Sequence, residues 1–360
     1  MFVCAGLLAA CSGASGSAVV EIESVAEVSP SASVPALEGV AQTRGGVSLI
    51  AFERGLWLFG PTTSLQPDAD GRVDRASAWS STMDFDADDG LGPFEMATDA
   101  AGGPAEVLIK TAEELAFEAA GAELEPPARV RLEPLGAARQ SLYGPVLVYY
   151  AKSRVDGGSG GSGGGAVGSS VAIWNAVELG AQRPVFDPAA PEPTLLFLAP
   201  EPAYGLAPTL VDGAVHVWAC TDRQVEVPCT LASVPAGEAF ERDAYRFWTG
   251  AGWSEAIDEA APLFDGAERL SVHLNGFVDL WLAFYAKEGV AVVRSAPALT
   301  GPWSPELPVT ELEPGAHSVL GHGELRREAG ALEYLTYVRP SPEDPAVEEL
   351  RLLELRLSPS

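Results

Sequence analysis

Basic residues are scarce in this chain of 360 residues, which has 22 lysines and arginines against 50 aspartates and glutamates. Because the resulting net charge of −28 repels phosphate backbones, we expect no nucleic acid among its partners. Long apolar runs are also missing, since none approaches the ~20 residues that a membrane-spanning helix needs. The sequence therefore predicts no transmembrane helix. It also offers no nucleophile elbow of a serine hydrolase, because GxSxG occurs only within the glycine-serine run at residues 157–165.

The residues that are plentiful favour strands and turns. Glycine occurs 38 times and proline 29 times, while charged residues make up 20% of the chain and hydrophobic residues 47%. This mixture is typical of short strands joined by many turns rather than of long helices. The length suffices for one large domain or two ordinary ones with a substantial core.

The first eleven residues, MFVCAGLLAAC, end in small residues followed by Cys11. This ending resembles the lipobox of bacterial lipoproteins, in which the leader is cut and the cysteine is acylated. The segment departs from the signal-peptide pattern in two ways, because its apolar stretch is short and it has no positively charged start. The alternative is an ordinary apolar N-terminus that packs on the domain. We predict a signal segment over residues 1–11 and lipidation at Cys11. The lipid would anchor the protein to a membrane of the bacterial cell envelope, at the outer membrane or facing the periplasm.

The segment from Ser12 to Gln42 differs in composition from the rest of the chain. It is rich in serine, alanine, valine and glutamate, contains Pro30 and Pro35, and shows no sustained hydrophobic period. These features predict a flexible tether over residues 12–42. The folded domain is then expected over residues 43–360.

One strand pattern recurs five times in that domain. Each copy is rich in aromatic or β-branched residues and follows a glycine, as a tight hairpin turn requires. The five copies are Leu56–Gly60, Pro145–Ser153, Ala214–Asp222, Phe277–Lys287 and Ala331–Pro340. Four of them have a second strand pattern after them, at Ser169–Val177, Cys229–Ala236, Gly289–Pro297 and Glu348–Leu357.

A second repeat supports a circular arrangement of these hairpins. The segments WTGAGWSEAI and ALTGPWSPEL are similar, and their Trp-Ser pairs at Trp253 and Trp303 are separated by a typical blade period. Five antiparallel hairpins at such intervals predict an all-β fold, a five-bladed β-propeller. The alternative, a two-layer β-sandwich, does not explain the repeat.

Two segments interrupt the strand patterns. The run GGSGGSGGG at Gly157–Gly165 lies between the second repeated strand and its partner, and it lacks the Lys-Ser/Thr ending of a phosphate-binding loop. We interpret it as a long hairpin tip. The segment Ala105–Gly121 contains a helix-like stretch with Glu113 and Glu114, but strand and loop are equally compatible with it, so its assignment stays open.

Cys220 and Cys229 lie at the ends of one strand and its partner, with eight residues between them. This position predicts a disulfide at a hairpin tip, which is consistent with export to an oxidising compartment. The alternative, a metal or redox pair, lacks the CxxC spacing and a nearby histidine.

The acidic segment MDFDADDGLGPFE offers a weak calcium site. Asp84, Asp86 and Asp88 alternate, and Glu95 is the twelfth residue counted from Asp84. An EF-hand loop has glycine at its sixth position, whereas this chain has Asp89 there and glycine one residue later. A solvated acidic loop is the competing interpretation, so we expect no cofactor, with Ca²⁺ as the alternative.

The four histidines do not have the spacing of a metal site. His317 and His322 are five residues apart in a loop, without an evident third ligand, and His216 is interpreted as a packing residue in a strand. His273 precedes the fourth repeated strand, where side chains can face the central channel of a propeller. It is therefore a candidate site residue, although a hydrogen-bonded core histidine fits equally.

Aromatic residues fall mostly at strand positions and are assigned to the cores between strands. Tyr204 and Trp281 are alternative candidates for stacking against sugar rings, and the sequence does not separate the two roles.

Five stretches carry motifs that occur together, namely Thr43–Ser48, Leu56–Gly60, Ala244–Ser254, Leu270–Gly276 and Val292–Ser304. They resemble a family of exported five-bladed propellers, the domain of unknown function DUF4185. The fold of this family is similar to that of glycoside hydrolase families 43 and 32. Because some members look like arabinan-cleaving enzymes, the resemblance implies a channel that faces a glycan or a cell-envelope polysaccharide.

The resemblance also implies two aspartates, one before the paired glycines and one after the LFG turn. Glycosidic cleavage uses such a pair to protonate the leaving oxygen and to attack or activate water. Here the corresponding positions hold Arg44 and Pro61, neither of which transfers protons near neutral pH.

The sequence therefore favours a monomeric, membrane-anchored protein that binds a carbohydrate without cleaving it. One alternative is an arabinan-type glycoside hydrolase with displaced catalytic residues, for which the candidates are Asp84, Asp86, Glu201 and His273. The other is a scaffold that binds proteins.

Overall fold

A computed structural model describes residues 18–28, 39–87, 90–125, 127–158, 165–221, 226–267 and 269–359. The described residues form five antiparallel sheets of at least four strands each, together with one small three-stranded sheet. The strands alternate between apolar and polar residues or carry continuous apolar runs, as half-buried and fully buried strands do.

The N-terminal region contributes the first blade and the small sheet. Its strands are β1 (Ile22–Glu27), β2 (Val40–Thr43), β3 (Val47–Ala51), β4 (Arg54–Phe59), β5 (Thr62–Ser64), β6 (Asp74–Arg75), β7 (Ala78–Thr82) and β8 (Glu95–Met96). Blade one has the strand order β3-β4-β7-β8, and the small sheet has the order β2-β5-β6.

A helix precedes the second blade and resolves the assignment that the sequence left open. Helix α1 (Ala112–Ala120) begins after Thr111, whose side chain accepts a hydrogen bond from the backbone of Glu114, while the Glu114 side chain accepts one from the backbone of Thr111. This capping box fixes the start of the helix. Blade two follows, with the strands β9 (Arg129–Arg139), β10 (Val146–Val155), β11 (Gly165–Trp174) and β12 (Phe197–Leu198).

The remaining three blades follow directly along the chain. Blade three contains β13 (Leu206–Val211), β14 (Ala214–Cys220), β15 (Pro228–Pro235), β16 (Arg246–Trp248) and β17 (Trp253–Ser254), with β18 (Phe264–Asp265) paired to β15. Blade four contains β19 (Ser271–Asn275), β20 (Leu280–Lys287), β21 (Val290–Ala296) and β22 (Leu307–Glu311). Blade five contains β23 (His317–Gly321), β24 (Leu332–Pro340) and β25 (Glu348–Leu357). Single 3₁₀ turns lie at Val177–Leu179, Ala236–Glu238, Arg242–Ala244, Ile257–Glu259 and Glu328–Gly330.

Each of the five repeated patterns is the second strand of a blade, namely β4, β10, β14, β20 and β24. The predicted five-bladed propeller is therefore confirmed, and the alternative of a two-layer sandwich is wrong. The turn between β13 and β14 shows why glycine precedes these strands. Asp212 and Gly213 both have positive φ angles, of 49° and 80°, as a tight type I′ hairpin turn requires.

Blade five is completed by the N-terminal strand. Strand β1 pairs antiparallel with β25, and Val20, just before it, is 2% exposed in the core between blades four and five. The expectation of a flexible tether through residue 42 is therefore wrong for residues 22–27. The pairing closes the ring by joining the two ends of the domain.

Five separate hydrophobic cores lie between neighbouring blades. Examples of their largest members are Trp174 between blades one and two, Tyr149 between two and three, Trp218 between three and four, Phe284 between four and five, and Trp57 between five and one. Most of the aromatic strand residues are thus used for packing. No helix among the described residues is long and apolar enough to cross a membrane.

Candidate functional site

The first strands of the five blades surround a central channel that contains a cavity of about 890 Å³. Strands β3, β9, β13, β19 and β23, with the turns that follow them, all contribute to its lining. Each of these strands is the innermost strand of its blade, so consecutive residues such as those at 47–50 and 270–274 border the channel. Because large concave cavities are the usual ligand sites of proteins, this cavity is the candidate site.

The candidate residue His273 lies on β19 and lines the cavity. Its Nε2 atom is 3.0 Å from Oε2 of Glu333, a fully buried residue on β24. Asn275 donates hydrogen bonds to Glu333 and to the Gly330 carbonyl, the latter at 2.7 Å. Gly323 packs on the imidazole so closely that a Cβ there would lie 2.7 Å from His273 Cγ. The histidine is thus held in one orientation by its partners.

A second polar cluster connects blades one and five beside His273. The Ser48 hydroxyl is 2.5 Å from His322 Nδ1 and also contacts the Glu324 carboxyl. His322 Nε2 is 2.7 Å from the Thr336 hydroxyl. Sequence reasoning missed Ser48 and Glu324, because they are far apart along the chain and only closure of the ring brings them together.

Burial changes the protonation of this cluster. It lowers the pKa of His322 to about 3, with a smaller effect from nearby His273, so His322 is neutral at pH 7. Burial also raises the pKa of the Glu324 carboxyl above its ordinary value. The cluster therefore holds a weakly basic imidazole and a carboxyl group that keeps its proton to higher pH than usual.

The two positions singled out by the family resemblance lie at the other end of the channel, where the inner strands begin. Arg44 and Pro61 are adjacent, because the Arg44 backbone N–H donates to the Pro61 carbonyl at 3.2 Å. The Gly60 N–H donates in turn to the Arg44 carbonyl at 2.7 Å. The arrangement places these two positions side by side, as a catalytic pair would need, but neither side chain is a carboxylate.

Arg269 occupies the same end of the channel. It precedes blade four, pairs with Glu133 of blade two, and donates to the Pro134 carbonyl at 3.3 Å. Burial, with a further effect from the positive charge of Arg44, lowers the pKa of Arg269 to about 10, so the guanidinium stays charged at neutral pH. The Glu133 carboxylate is therefore used in an ion pair.

Glu348 is the second carboxylate near Arg44, and it is also bound. It accepts a hydrogen bond from the Thr43 backbone at 2.8 Å, and its other oxygen is 3.1 Å from His317 Nε2. Burial disfavours its ionised form, but the bonds from His317 and Thr43 outweigh burial and hold the pKa of Glu348 below its usual value.

The other candidate catalytic residues do not line the cavity. Asp84 accepts a hydrogen bond from the Asp86 backbone at 3.3 Å within its own loop. Glu201 forms an ion pair with Arg242 at 3.1 Å and accepts from the Leu198 backbone at 3.0 Å. The structure thus does not bring these carboxylates together with His273.

Two of the four candidate calcium ligands are not available in the structure as a shared site. Glu95 forms an ion pair with Arg54 at 3.1 Å, and Asp88 lies outside the described residues. Within the described ranges, no group of three or more histidine, cysteine, aspartate or glutamate residues is arranged to hold a metal ion. Cys11, the candidate lipidation site, also lies outside the described residues.

The predicted disulfide and the candidate aromatic residues have clear positions. Cys220 and Cys229 face each other in the β14–β15 pairing and form a disulfide with an S–S distance of 2.01 Å, which confirms that prediction. Tyr204 is fully buried against Phe197 and cannot stack on a ligand, whereas Trp281 borders the cavity.

Comparisons with known proteins agree with this architecture. Residues 203–353 match the model of a family described as "Domain of unknown function (DUF4185)", which confirms the resemblance over blades three to five. No curated protein matches the chain at a significant level.

Solved structures resemble the whole domain. A putative hydrolase from Bacteroides ovatus has a TM-score of 0.56 and 10% sequence identity, over 90% of this chain and 88% of that chain. A GH43_1 enzyme from Xanthomonas citri, solved with xylotriose, has a TM-score of 0.51 and 12% identity, over 92% of this chain and 94% of that chain. At such identities the likeness shows a shared fold alone, the five-bladed propeller.

Proposed function

We propose that this propeller binds a glycan in its channel cavity and does not cleave it. The observation that carries the proposal is a cavity lined by all five blades. Arg44 and Pro61, at the positions of the expected carboxylates, lie at the other end of the same channel and supply no carboxylate there. The related Xanthomonas citri enzyme was solved with xylotriose, which supports a saccharide as the ligand class.

The lining combines apolar surface with hydrogen-bonding groups, as sugar recognition requires. Ile50, Leu210 and Leu274 border the cavity, and each is more than a third exposed. Tyr143, which follows the lining residue Leu142 along the chain, is 92% exposed. An exposed tyrosine offers a flat apolar face together with a hydroxyl, and such rings suit the apolar faces of sugars.

The proposal includes export and anchoring. The lipobox-like ending at Cys11 supports acylation of that cysteine, and the disulfide between Cys220 and Cys229 suits an oxidising compartment. A monomer tethered to the cell envelope would have envelope polysaccharides as its nearest glycans. Radiolabelled palmitate incorporation, lost in Cys11→Ser, tests the anchor; no incorporation into the parent chain would contradict it.

A second function is favoured by one observation, the position of two carboxyl groups in the cavity lining. Asp212 and Glu324 both border the cavity, and the raised pKa of Glu324 suits a general acid. Glycosidic cleavage by two carboxyl groups requires a separation of about 5–10 Å. A hydrolase with these displaced residues is therefore the competing proposal.

A glycan array distinguishes the two functions. The purified protein is applied to the array, and bound signal is read at once and again after prolonged incubation. We expect retained signal on one class of glycan. If bound signal disappears on incubation with the parent protein but is retained with Glu324→Gln, the hydrolase would be established instead. A blank array would contradict both and favour a scaffold that binds proteins.

Two aromatic variants test whether the surface at Tyr143, next to the lining residue Leu142, takes part in glycan binding. Tyr143→Ala should weaken glycan binding about tenfold, the loss of roughly 1.4 kcal/mol of contact free energy. Trp253→Ala is the matched control, because Trp253 is 41% exposed on the outer strand β17 and neither lines the cavity nor neighbours a lining residue along the chain. Equal affinities of the two variants would place the binding surface elsewhere.

A further inference from the structure

Two arginines that line the cavity differ from most cationic residues of the protein. Most lysines and arginines in the described ranges form ion pairs with carboxylates, as Arg75, Arg183 and Arg294 do. Arg139 and Arg326 border the cavity, and neither is within ion-pair distance of a carboxylate in the part of the chain that the structure describes. In a chain with a net charge of −28, such free guanidinium groups are unusual.

Arg139 is the last residue of β9 in blade two, opposite Val146 in the sheet. Its Nε atom is buried and has no hydrogen-bond partner among the described residues. A buried donor without a partner is unfavourable, more so when it belongs to a charged group. Because Arg139 as a whole is only half-buried and borders the cavity, the rest of its guanidinium is the part that a ligand can reach.

Arg326 stands on another side of the same cavity, in the loop after β23 of blade five. It donates to the Leu274 carbonyl at 2.7 Å, which fixes its side chain against blade four. Blade one separates blade two from blade five, so the two guanidinium groups flank the cavity rather than contact each other. Each remains free to donate further hydrogen bonds.

The anionic groups that face the cavity do not outweigh these two cations. Asp212 and Glu324 are the lining carboxyl groups, and Glu333 lies behind His273, with which it pairs. Burial favours the protonated form of Glu324, so its negative charge is reduced. Within the described ranges, this makes the cavity lining less acidic than the protein as a whole.

We propose that the ligand is an acidic glycan, an oligosaccharide of uronic acids, with a sugar carboxylate bound by Arg139 and a second acidic group near Arg326. This inference rests on the proposed glycan-binding function and names the class of glycan. A planar guanidinium matches a carboxylate with two parallel hydrogen bonds. The sugar ring itself packs on the apolar lining.

Titration calorimetry with matched probes tests the inference. The probes are oligogalacturonate, oligomannuronate and hyaluronan oligosaccharides, each also in carboxyl-reduced form, together with neutral xylan and arabinan oligosaccharides and a sulfated galactan oligosaccharide. At least one uronate should bind, and its carboxyl-reduced form should bind about tenfold more weakly or worse, since reduction removes the charge-assisted hydrogen bonds to the guanidinium.

Variants of Arg139 test whether this arginine binds the sugar carboxylate. Arg139→Gln should lower the affinity for the uronate to that of its carboxyl-reduced form, while Arg139→Lys should retain part of it. Arg131→Gln is the matched control, because Arg131 is an exposed residue of the same strand that does not line the cavity. Circular dichroism confirms that each variant is folded.

The possible results separate this inference from the function beneath it. Equal binding of a uronate and its reduced form, or preference for a neutral or sulfated probe, would overturn the acidic class while leaving glycan binding intact. Equal losses of affinity for the uronate in Arg139→Gln and Arg131→Gln would overturn the assignment of the binding site to Arg139. Failure of every probe to bind would count against glycan binding itself.

Discussion

Arg269 and Glu133 form an ion pair across the propeller channel, between blades four and two. These blades are not neighbours, because blade three lies between them in the ring. The side chains are only 19% and 29% exposed, so the pair is partly protected from solvent. It therefore ties opposite walls of the channel together at the end where Arg44 and Pro61 lie.

Removal of the carboxylate from this pair should destabilise the protein. Glu133→Gln leaves the Arg269 guanidinium partly buried without its counter-charge, and we expect a loss of about 1–3 kcal/mol, less than for a fully buried pair. Urea denaturation measures the free energy of unfolding. Glu125→Gln, a charge removal at an exposed position, is the control, and an equal effect of both variants would contradict the prediction.

The ring of blades could be predicted from local sequence patterns. Each second strand carries a run of apolar and aromatic residues after a glycine turn, as in Leu56–Gly60 and Phe277–Lys287, and such signals need no knowledge of distant contacts. Strand β1 (Ile22–Glu27) was missed because its short apolar pattern lies in a segment rich in serine and glutamate. Only pairing with β25, at the far end of the chain, gives it a structure.

The candidate site was less predictable for the same reason. His273 was chosen because it precedes a repeated strand, but its partner Glu333 is on the next blade. Ser48 and Glu324 belong to the first and last blades and meet only when the ring closes. No spacing in the sequence reports such a contact, since the residues are separated by most of the domain.

A buried network of charges fixes helix α1 against blade two. Glu114 pairs with both Lys152 and Arg183, and the three side chains are at most 3% exposed. Glu114→Gln should cost about 3–5 kcal/mol, because it leaves two buried cations without full compensation. Thermal and urea denaturation measure the loss.

Glu113→Gln is the matched control for this helix. Glu113 neighbours Glu114 in the first turn but is exposed and forms no ion pair among the described residues. The variant Glu113→Gln should therefore leave the free energy of unfolding nearly unchanged. If Glu114→Gln were equally mild, the network would not be important for stability.

The disulfide of blade three is expected to stabilise the folded state. It closes a short loop between β14 and β15, and by the chain-entropy estimate its removal costs about 2–3 kcal/mol. The variant Cys220→Ser/Cys229→Ser should therefore unfold at lower urea concentration than the parent protein. Reducing agent should destabilise the parent and leave the double variant unaffected; an unchanged parent would argue against the prediction.

His322 should make the fold sensitive to acid. Its side chain is 1% exposed, and burial lowers its pKa to about 3 in the folded protein, against an ordinary value of 6.5. Below pH 6.5 the unfolded chain therefore binds a proton that the folded protein rejects. The contribution of His322 to the free energy of unfolding is fully present above pH 6.5. It declines by about 1.4 kcal/mol per pH unit as the pH falls toward 3.

His322→Gln tests this dependence, because glutamine can still bond to Ser48 and Thr336 but does not titrate. The free energy of unfolding is measured by urea at several pH values between 7 and 4, for the parent protein and the variant. The variant is expected to lose some stability at pH 7 through imperfect packing beside Trp57, and the difference from the parent should shrink as the pH falls. The variant His317→Gln, at a partly exposed position, controls for the general effect of removing a histidine. Parallel curves for the parent and His322→Gln would show that His322 takes up its proton equally in the folded and unfolded states.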